Sequence, residues 1–285
     1  MNYQKIIESL PTFSGKRIQV QPLAGGVTNV NYKITDGHNK YVARFGFESN
    51  KYLGVNRKWE VHNQIIASKL GVGSKVVGFY PKLNMLLVEY LEGKTAGRQE
   101  LRKPHNIRQV ARLLRKVHNG PKFQGLFDPF KVSRDYFRLV KNSWMPQGAK
   151  ELLLDLDKLK SKLGAMRLNS SCHLDLVHLN ILLNGNQVKF LDWEYSAKSD
   201  YRFDLAQLSA SADFEPEHDK LLIKAYGRKD LNLEQLNIVK AIMLIREIGW
   251  DLVQVKYSKL NFDYKKYALG YLKRYQKIKR LVGLK

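Results

Sequence analysis

The stretch SSCHLDLVHLNILLNGNQVKFLDWEYS, Ser170 to Ser196, decides how the chain reads. His173 stands two residues before Asp175, Asn180 follows that aspartate by five, and Asp192 closes the run VKFLD. NILLN and QVKFLD are strand-like and flank a Gly-containing turn, so they form a hairpin. An aspartate at the end of a strand, following a loop Asp and Asn, is well located to ligate a hard cation through oxygen.

Phosphoryl transfer needs such groups: a carboxylate to take the acceptor's hydroxyl proton, oxygen ligands for the metal that neutralises the phosphates, and a lid over them. Asp175 and Asn180 have the separation of the base and magnesium-binding Asn of a kinase catalytic loop. Asp192 supplies a second metal ligand, and His173 is read as a residue that locks the loop's shape. A competing reading makes a metallohydrolase centre of His173, Asp175, His178 and Asp192. It leaves Asn180 unused, and His178 reads more simply as a loop residue with a local hydrogen bond.

Upstream, the first ninety residues read as short strands around one helix. RIQVQPL and NVNYKI flank AGGVTN, KYVARF follows the turn TDGHN, and KVVGFY and MLLVEYL come later. Between them Lys51 to Leu70 is helical, with Trp59, His62, Ile65, Ile66, Ala67 and Leu70 as its apolar stripe. Beyond EYLEGK the periodicity becomes helical over 103–119, 148–164, 204–227, 231–257 and 263–282, interrupted by the hairpin at 181–191. The expectation is an α+β chain of two lobes: a small antiparallel sheet with one helix over 1–91 and a larger, mainly helical lobe over 92–285.

CHLDLVHLNILL, KFLDWEYS and YRFDLAQL resemble the choline and ethanolamine kinases, within the aminoglycoside-phosphotransferase-like, protein-kinase-like fold. The likeness extends from LAGGVTNVNYKI to WDLVQVKYSKLNFDYKKYALGYLKRY. It implies ATP- and magnesium-dependent transfer of the γ-phosphate to a small amino alcohol, choline or ethanolamine, with Asp175 as base, Asn180 and Asp192 on Mg2+, and Asp204 as a structural anchor. Thiamine and aminoglycosides are the alternative acceptors, and a catalytically silent kinase-like binding module is the reading from another class.

For the nucleotide, Gly25 and Gly26 can adopt positive φ and bring backbone N–H groups to phosphate, while Thr28 and Asn29 offer side-chain donors. Arg44 stands where protein kinases place a phosphate-binding lysine, and its forked guanidinium suits phosphate oxygens. Glu60 is its expected partner, and the backbone from Glu89 to Leu91 is expected to meet adenine. For the acceptor, the resemblance points to Trp250, Phe262 and Tyr267, with Glu194 also assigned to that pocket. A quaternary ammonium donates no hydrogen bond, so its recognition depends on aromatic faces. The chain departs from the family at Glu247, where choline kinases often carry a second Trp; an acidic residue there substitutes charge for π attraction and leaves the amino alcohol open.

The 285 residues carry 49 Lys and Arg against 26 Asp and Glu, a net charge of +23 that attracts anions without choosing among them. Residues 252–285 hold ten Lys and Arg against one Asp, interleaved with aromatics. Nucleic-acid binding is disfavoured there, because Tyr264, Tyr267, Ala268, Tyr271, Tyr275, Ile278 and Val282 trace one helix face and leave the lysines on a solvated one. Peripheral contact with a membrane stays open, as does oligomeric state. An exterior so basic disfavours polycationic aminoglycosides relative to a singly charged amine. One cysteine, Cys172, excludes an internal disulfide and reads as a small core residue. With no long apolar run, and with polar and acidic residues in MNYQKIIESLPTF, the chain reads as cytoplasmic.

Overall fold

The structure, a computed structural model, describes residues 2–23, 28–140, 151–258 and 260–284. Its N-terminal part contains α1 (Tyr3–Glu8), β1 (Gln19–Leu23), β2 (Asn29–Thr35), β3 (Lys40–Gly46), α2 (Arg57–Lys69), β4 (Val76–Tyr80) and β5 (Met85–Glu89). The five strands make one antiparallel sheet in the order β1-β2-β3-β5-β4. In KYVARFG every second residue, Tyr41, Ala43 and Phe45, is buried against Ile7, Phe13, Ile34 and Met85. The period of two therefore turns Arg44 toward the opposite face, where it lines the cleft. The short α1, absent from the sequence expectation, contributes Ile7 to the core on the apolar face of this sheet.

Helix α2 corrects the expected register. Asn56 caps it by accepting from the N–H groups of Lys58 and Trp59, so the helix starts later than Lys51, after a 3-10 turn at Glu48–Leu53. Its buried face is Glu60, Asn63, Gln64 and Ala67, whereas Trp59 and Ile65 are 40% and 39% exposed. The apolar stripe fails as a guide because this helix faces a cleft that offers ionic and hydrogen-bonding partners. Ala67 and Val72 belong to the larger, C-terminal core.

The rest comprises β6 (Lys94–Thr95), α3 (Arg98–Leu101), α4 (Pro104–His118), α5 (Pro129–Leu139), α6 (Leu152–Leu163), β7 (Ser170–Cys172), β8 (Ile181–Asn184), β9 (Gln187–Phe190), β10 (Ala197–Ser199), α7 (Arg202–Ser211), α8 (Pro216–Tyr226), α9 (Leu233–Tyr257) and α10 (Tyr264–Leu281). The β8–β9 hairpin forms as its sequence implies, and β6 adds a third strand. The span 204–227 holds two helices, because a turn from Ala212 and the positive-φ Asp213 leads to Pro216 at the first position of the next. Helix α5 is also additional; Asp128 caps it and Pro129 starts it, a signal present in the sequence. The 25-residue α9 is buried nearly all round, packed by α5, α6, α7 and α10. On α10, Tyr264, Ala268, Leu272 and Tyr275 are buried and Lys265, Lys266, Lys273, Lys277 and Arg280 face outward, while Tyr267 is exposed at 51%. Among the described residues no helix is long and apolar enough to cross a membrane.

Candidate active site

Between the sheet and the helices lies a cavity of about 1730 Å³ that receives Thr28, Asn29, Arg44, Glu89, Leu91, Asp175, Asn180, Asp192, Glu194, Trp250, Phe262 and Tyr267. All described site residues expected from the sequence except Glu60 line it; Glu60 is buried behind Arg44. Gly25 and Gly26 lie outside the described residues.

The loop carrying Asp175 is held by groups that leave that carboxylate facing the cleft. Buried Asp204, at the start of α7, accepts from the N–H of His173 at 2.8 Å and of Leu174 at 2.7 Å, and takes a third hydrogen bond from His118 at 2.9 Å. Leu174 has φ +64, a left-handed conformation costing about 1–3 kcal/mol in a non-glycine residue, and Asp204's two backbone contacts hold it there. Burial raises the Asp204 carboxyl, but the His118 bond and charge outweigh that and leave it below the ordinary range. His118, Cys172 and Asp204 are the one cluster of at least three His, Cys, Asp or Glu with converging ligand atoms among the described residues. Asp204's backbone bonds and the second His118 bond, to Tyr226 at 2.8 Å, make it a structural anchor.

His173 has both ring nitrogens engaged. Nε2 donates to the Leu191 carbonyl at 2.8 Å, while Nδ1 accepts from the Asp175 N–H at 3.3 Å. Burial holds its pKa down at about 4, so the ring is neutral and joins the catalytic-loop candidate to the strand end. His178 bonds through its backbone N–H and Nδ1 to Ser211 Oγ at the end of α7, and not locally as the sequence suggested. His173, Asp175, His178 and Asp192 do not form a cluster of three or more converging ligand atoms among the described residues, which removes support from the metallohydrolase reading.

Asn180 donates through Nδ2 to the backbone oxygen and to Oδ2 of Asp175, both at 2.9 Å, which orients its own Oδ1 as an acceptor. Asp192 has φ +60 and accepts from Arg44 Nη1 at 2.6 Å. Burial is the main reason the Asp175 carboxyl is pushed well above the ordinary range. The Arg246 guanidinium opposes that shift, while the charges of Glu247, Asp192 and Glu194 add to it.

On the sheet side Arg44 also reaches Glu60 at 2.8 Å, as the sequence suggested. The second guanidinium was not foreseen: Arg57 pairs with Glu60 at 2.6 Å and Glu194 at 3.1 Å, and donates to Asn29 at 2.7 Å. Its signal was the spacing of Arg57 and Glu60 across one helical turn. The side chains of Thr28 and Asn29, expected as phosphate donors, donate instead to Glu194 at 2.9 and 3.0 Å. Glu194 is thus a latch across the cleft, engaged with β2 and α2, where the sequence reading had assigned it to the acceptor. In the connector, the N–H of Glu89 donates to Lys75 and that of Tyr90 to Lys40, so of these three N–H groups only that of Leu91 has no partner among the described residues.

The aromatic candidates meet at the other end. Phe262 stacks obliquely on Tyr264 and Tyr267 at 4.8 and 4.7 Å, and Trp250 meets Tyr264 edge-on at 6.1 Å. Trp250 donates its indole N–H to Tyr195 at 2.8 Å. Beside them α9 presents Arg246, Glu247, Trp250 and Asp251, which spacings of three and four residues bring to one side. Glu247 is buried and accepts from Arg246 at 2.5 Å and from Gln207 at 3.2 Å. Sequence reasoning passed over Arg246 and Asp251, although charges on an otherwise apolar helix were a visible signal.

A five-stranded sheet facing a helical lobe, with a basic side chain, a buried glutamate and a loop Asp–Asn pair meeting in the cleft, defines a protein-kinase-like phosphotransferase fold. Residues 19–237 match the model of the phosphotransferase enzyme family, and the chain belongs to that family. It is 30% identical over 214 residues to protein LicA of Haemophilus influenzae, covering 71% of this chain and 61% of that protein's length. Ethanolamine kinase 2 of Rattus norvegicus is 24% identical over 98% of this chain and 80% of its own. The crystal structure of choline kinase LicA from Streptococcus pneumoniae superposes with a TM-score of 0.83 at 23% identity, over 99% of both chains.

Proposed function

We propose that the protein is an ATP- and Mg2+-dependent kinase that transfers the γ-phosphate to the hydroxyl of a small amino alcohol. The observation that carries this reading is the meeting of Asp175, Asn180 and Asp192 in one interlobe cavity, with Arg44 reaching Asp192 from the sheet. At about 1730 Å³ the cavity exceeds the 300–1,000 Å³ of a typical single-ligand pocket and has room for a nucleotide and an acceptor together.

In this reading adenine lies against the connector, where the unengaged Leu91 N–H can donate to a ring nitrogen. Arg44, held by Glu60, directs a guanidinium at phosphate oxygens. The donor set fits magnesium: one carboxylate and one carboxamide oxygen leave the remaining positions to phosphates and water, its usual arrangement. When bound, the ion neutralises phosphate charge that builds during transfer. Asp175 takes the acceptor's hydroxyl proton, and the raised proton affinity that burial gives it favours that step. Asn180 steers the Asp175 carboxylate through its 2.9 Å bond. The aromatic wall of Trp250, Phe262 and Tyr267 receives the ammonium, whose charge suits ring faces.

Incubation with labelled ATP and a panel of ethanolamine, choline, thiamine and kanamycin tests the proposal. Phosphorylation of ethanolamine or choline supports it. Labelling of thiamine or kanamycin alone moves the acceptor to another class, and Mg-ATP binding with no product from any of the four supports the silent binding module.

A further inference from the structure

One group at the acceptor end has no part in that reading. Asp251 is 1% exposed, lies one turn beyond Glu247 on α9 and lines the cleft, and its Oδ2 has no hydrogen-bond partner among the described residues. A buried carboxyl oxygen without a donor is unfavourable, so its surroundings should offer one. Among the neighbouring donors, Arg246 Nη1 and Gln207 are engaged on Glu247 and the Trp250 indole on Tyr195, while Arg246 Nε and Nη2 are themselves without a hydrogen-bond partner among the described residues and make no hydrogen bond to Asp251.

The acceptor end gathers carboxyl groups on a chain that is basic overall. Asp175, Glu247 and Asp251 line it together with Arg246, and Trp250, Phe262 and Tyr267 line the same cavity. Aromatic faces attract an ammonium whether or not it is methylated. A carboxyl oxygen lacking a donor does discriminate. A primary, secondary or tertiary ammonium brings an N–H to it, whereas a trimethylated nitrogen has none and covers the oxygen with methyl groups.

We propose that Asp251 is a specificity-determining residue that selects an amino alcohol with at least one N–H on its ammonium, the ethanolamine class, over the quaternary one. The inference rests on the amino-alcohol kinase reading and narrows it. A site with a buried acceptor penalises the ligand that leaves it unpaired, while the aromatic wall softens the difference by still attracting the quaternary charge.

The test is a methylation ladder. kcat and KM are measured with Mg-ATP and ethanolamine, N-methylethanolamine, N,N-dimethylethanolamine and choline, for the wild type and for Asp251→Ser. The expected wild-type kcat/KM drops about 10- to 100-fold at the quaternary step, equivalent to about 1.4 to 2.8 kcal/mol. The drop is carried by KM, because the group binds and does not react. In Asp251→Ser the ladder flattens, with ethanolamine losing affinity and choline keeping it. Wild-type protein that uses choline as efficiently as ethanolamine overturns the inference and leaves the kinase reading standing. So does a preference that Asp251→Ser leaves unchanged. If the wild type phosphorylates none of the four, the amino-alcohol reading itself fails. The wild-type ladder can refute the inference unaided, so a serine variant that does not fold gives it no protection.

Discussion

The two ends of the cleft are built on opposite principles. At the sheet end the charged groups are paired with one another: Arg44 and Arg57 bridge Glu60, Asp192 and Glu194, and Thr28 and Asn29 add two more bonds to Glu194, with Asn31 Oδ1 left unpartnered among the described residues. At the helical end aromatic rings stand around charged groups with orphaned atoms, Asp251 Oδ2 and Arg246 Nε and Nη2. The contrast follows what each end is proposed to hold. A triphosphate carries several charges and calls for guanidinium groups held in fixed positions. An ammonium carries one charge and can be held by ring faces with a single carboxyl to read its substituents.

Four variants would break or sharpen this contrast. Asp175→Asn, at the junction of the two ends, should lower turnover by about 10²- to 10⁴-fold while nucleotide affinity stays near wild type, measured by steady-state kinetics and nucleotide titration. In the wild type the base must be ionised, so kcat/KM should fall as pH drops through the raised Asp175 pKa. Unchanged turnover in the variant would take the base role from this residue.

Glu60→Gln probes the sheet end. It removes the charge between two guanidinium groups, and urea unfolding should show a loss of about 3 kcal/mol, the low end for a buried ion pair because Asp192 and Glu194 still hold Arg44 and Arg57. A raised KM for ATP should accompany it. Stability equal to wild type would mean that the network is not held together by its charges.

Asp251→Asn probes the helical end through proton linkage. Burial pushes this carboxyl up to about 9, with Glu247 adding to the shift and Arg246 opposing it. The folded protein therefore keeps a proton that the unfolded chain releases above about pH 4, and wild-type stability falls as pH rises from there toward 9. Asparagine has no such linkage, so the variant should gain on wild type by at most about 1.4 kcal/mol between pH 6 and pH 7 in parallel thermal melts. A difference that does not grow with pH would place an ionised carboxylate at this position.

The smallest effect is expected from Tyr195→Phe, which deprives the Trp250 indole of its acceptor at a cost of about 1 kcal/mol. The KM for the acceptor should rise about fivefold while the KM for ATP is unchanged; equal effects on both would show that the two ends are not separable.

Legibility in the sequence followed the range of the interactions. The Asp175–Asn180 bond lies within one loop, and the β8–β9 hairpin needs only a turn between two apolar runs, so local spacing was enough to find them. Arg44 could be singled out because it stands on the third strand where protein kinases place a phosphate-binding lysine, and the alternation along KYVARFG turns it to the cleft. Helix α2 was misread for a reason of longer range. Its buried residues are Glu60, Asn63 and Gln64, and their partners Arg44, Ser196 and Ser74 come from three separate segments. The bonds of Glu194 to Thr28 and Asn29 were out of reach for the same reason, since those residues are more than 160 positions away in sequence.

By itself the sequence determined the two-lobed order of elements and the local Asp175–Asn180 pairing, because periodicity, turn residues and short spacings act over a few residues. Which charges pair across the cleft, which donors are already taken, and that Asp251 Oδ2 has no hydrogen-bond partner among the described residues were decided only by the tertiary structure. Satisfaction of a buried polar group is a property of everything packed around it, and those neighbours come from distant parts of the chain.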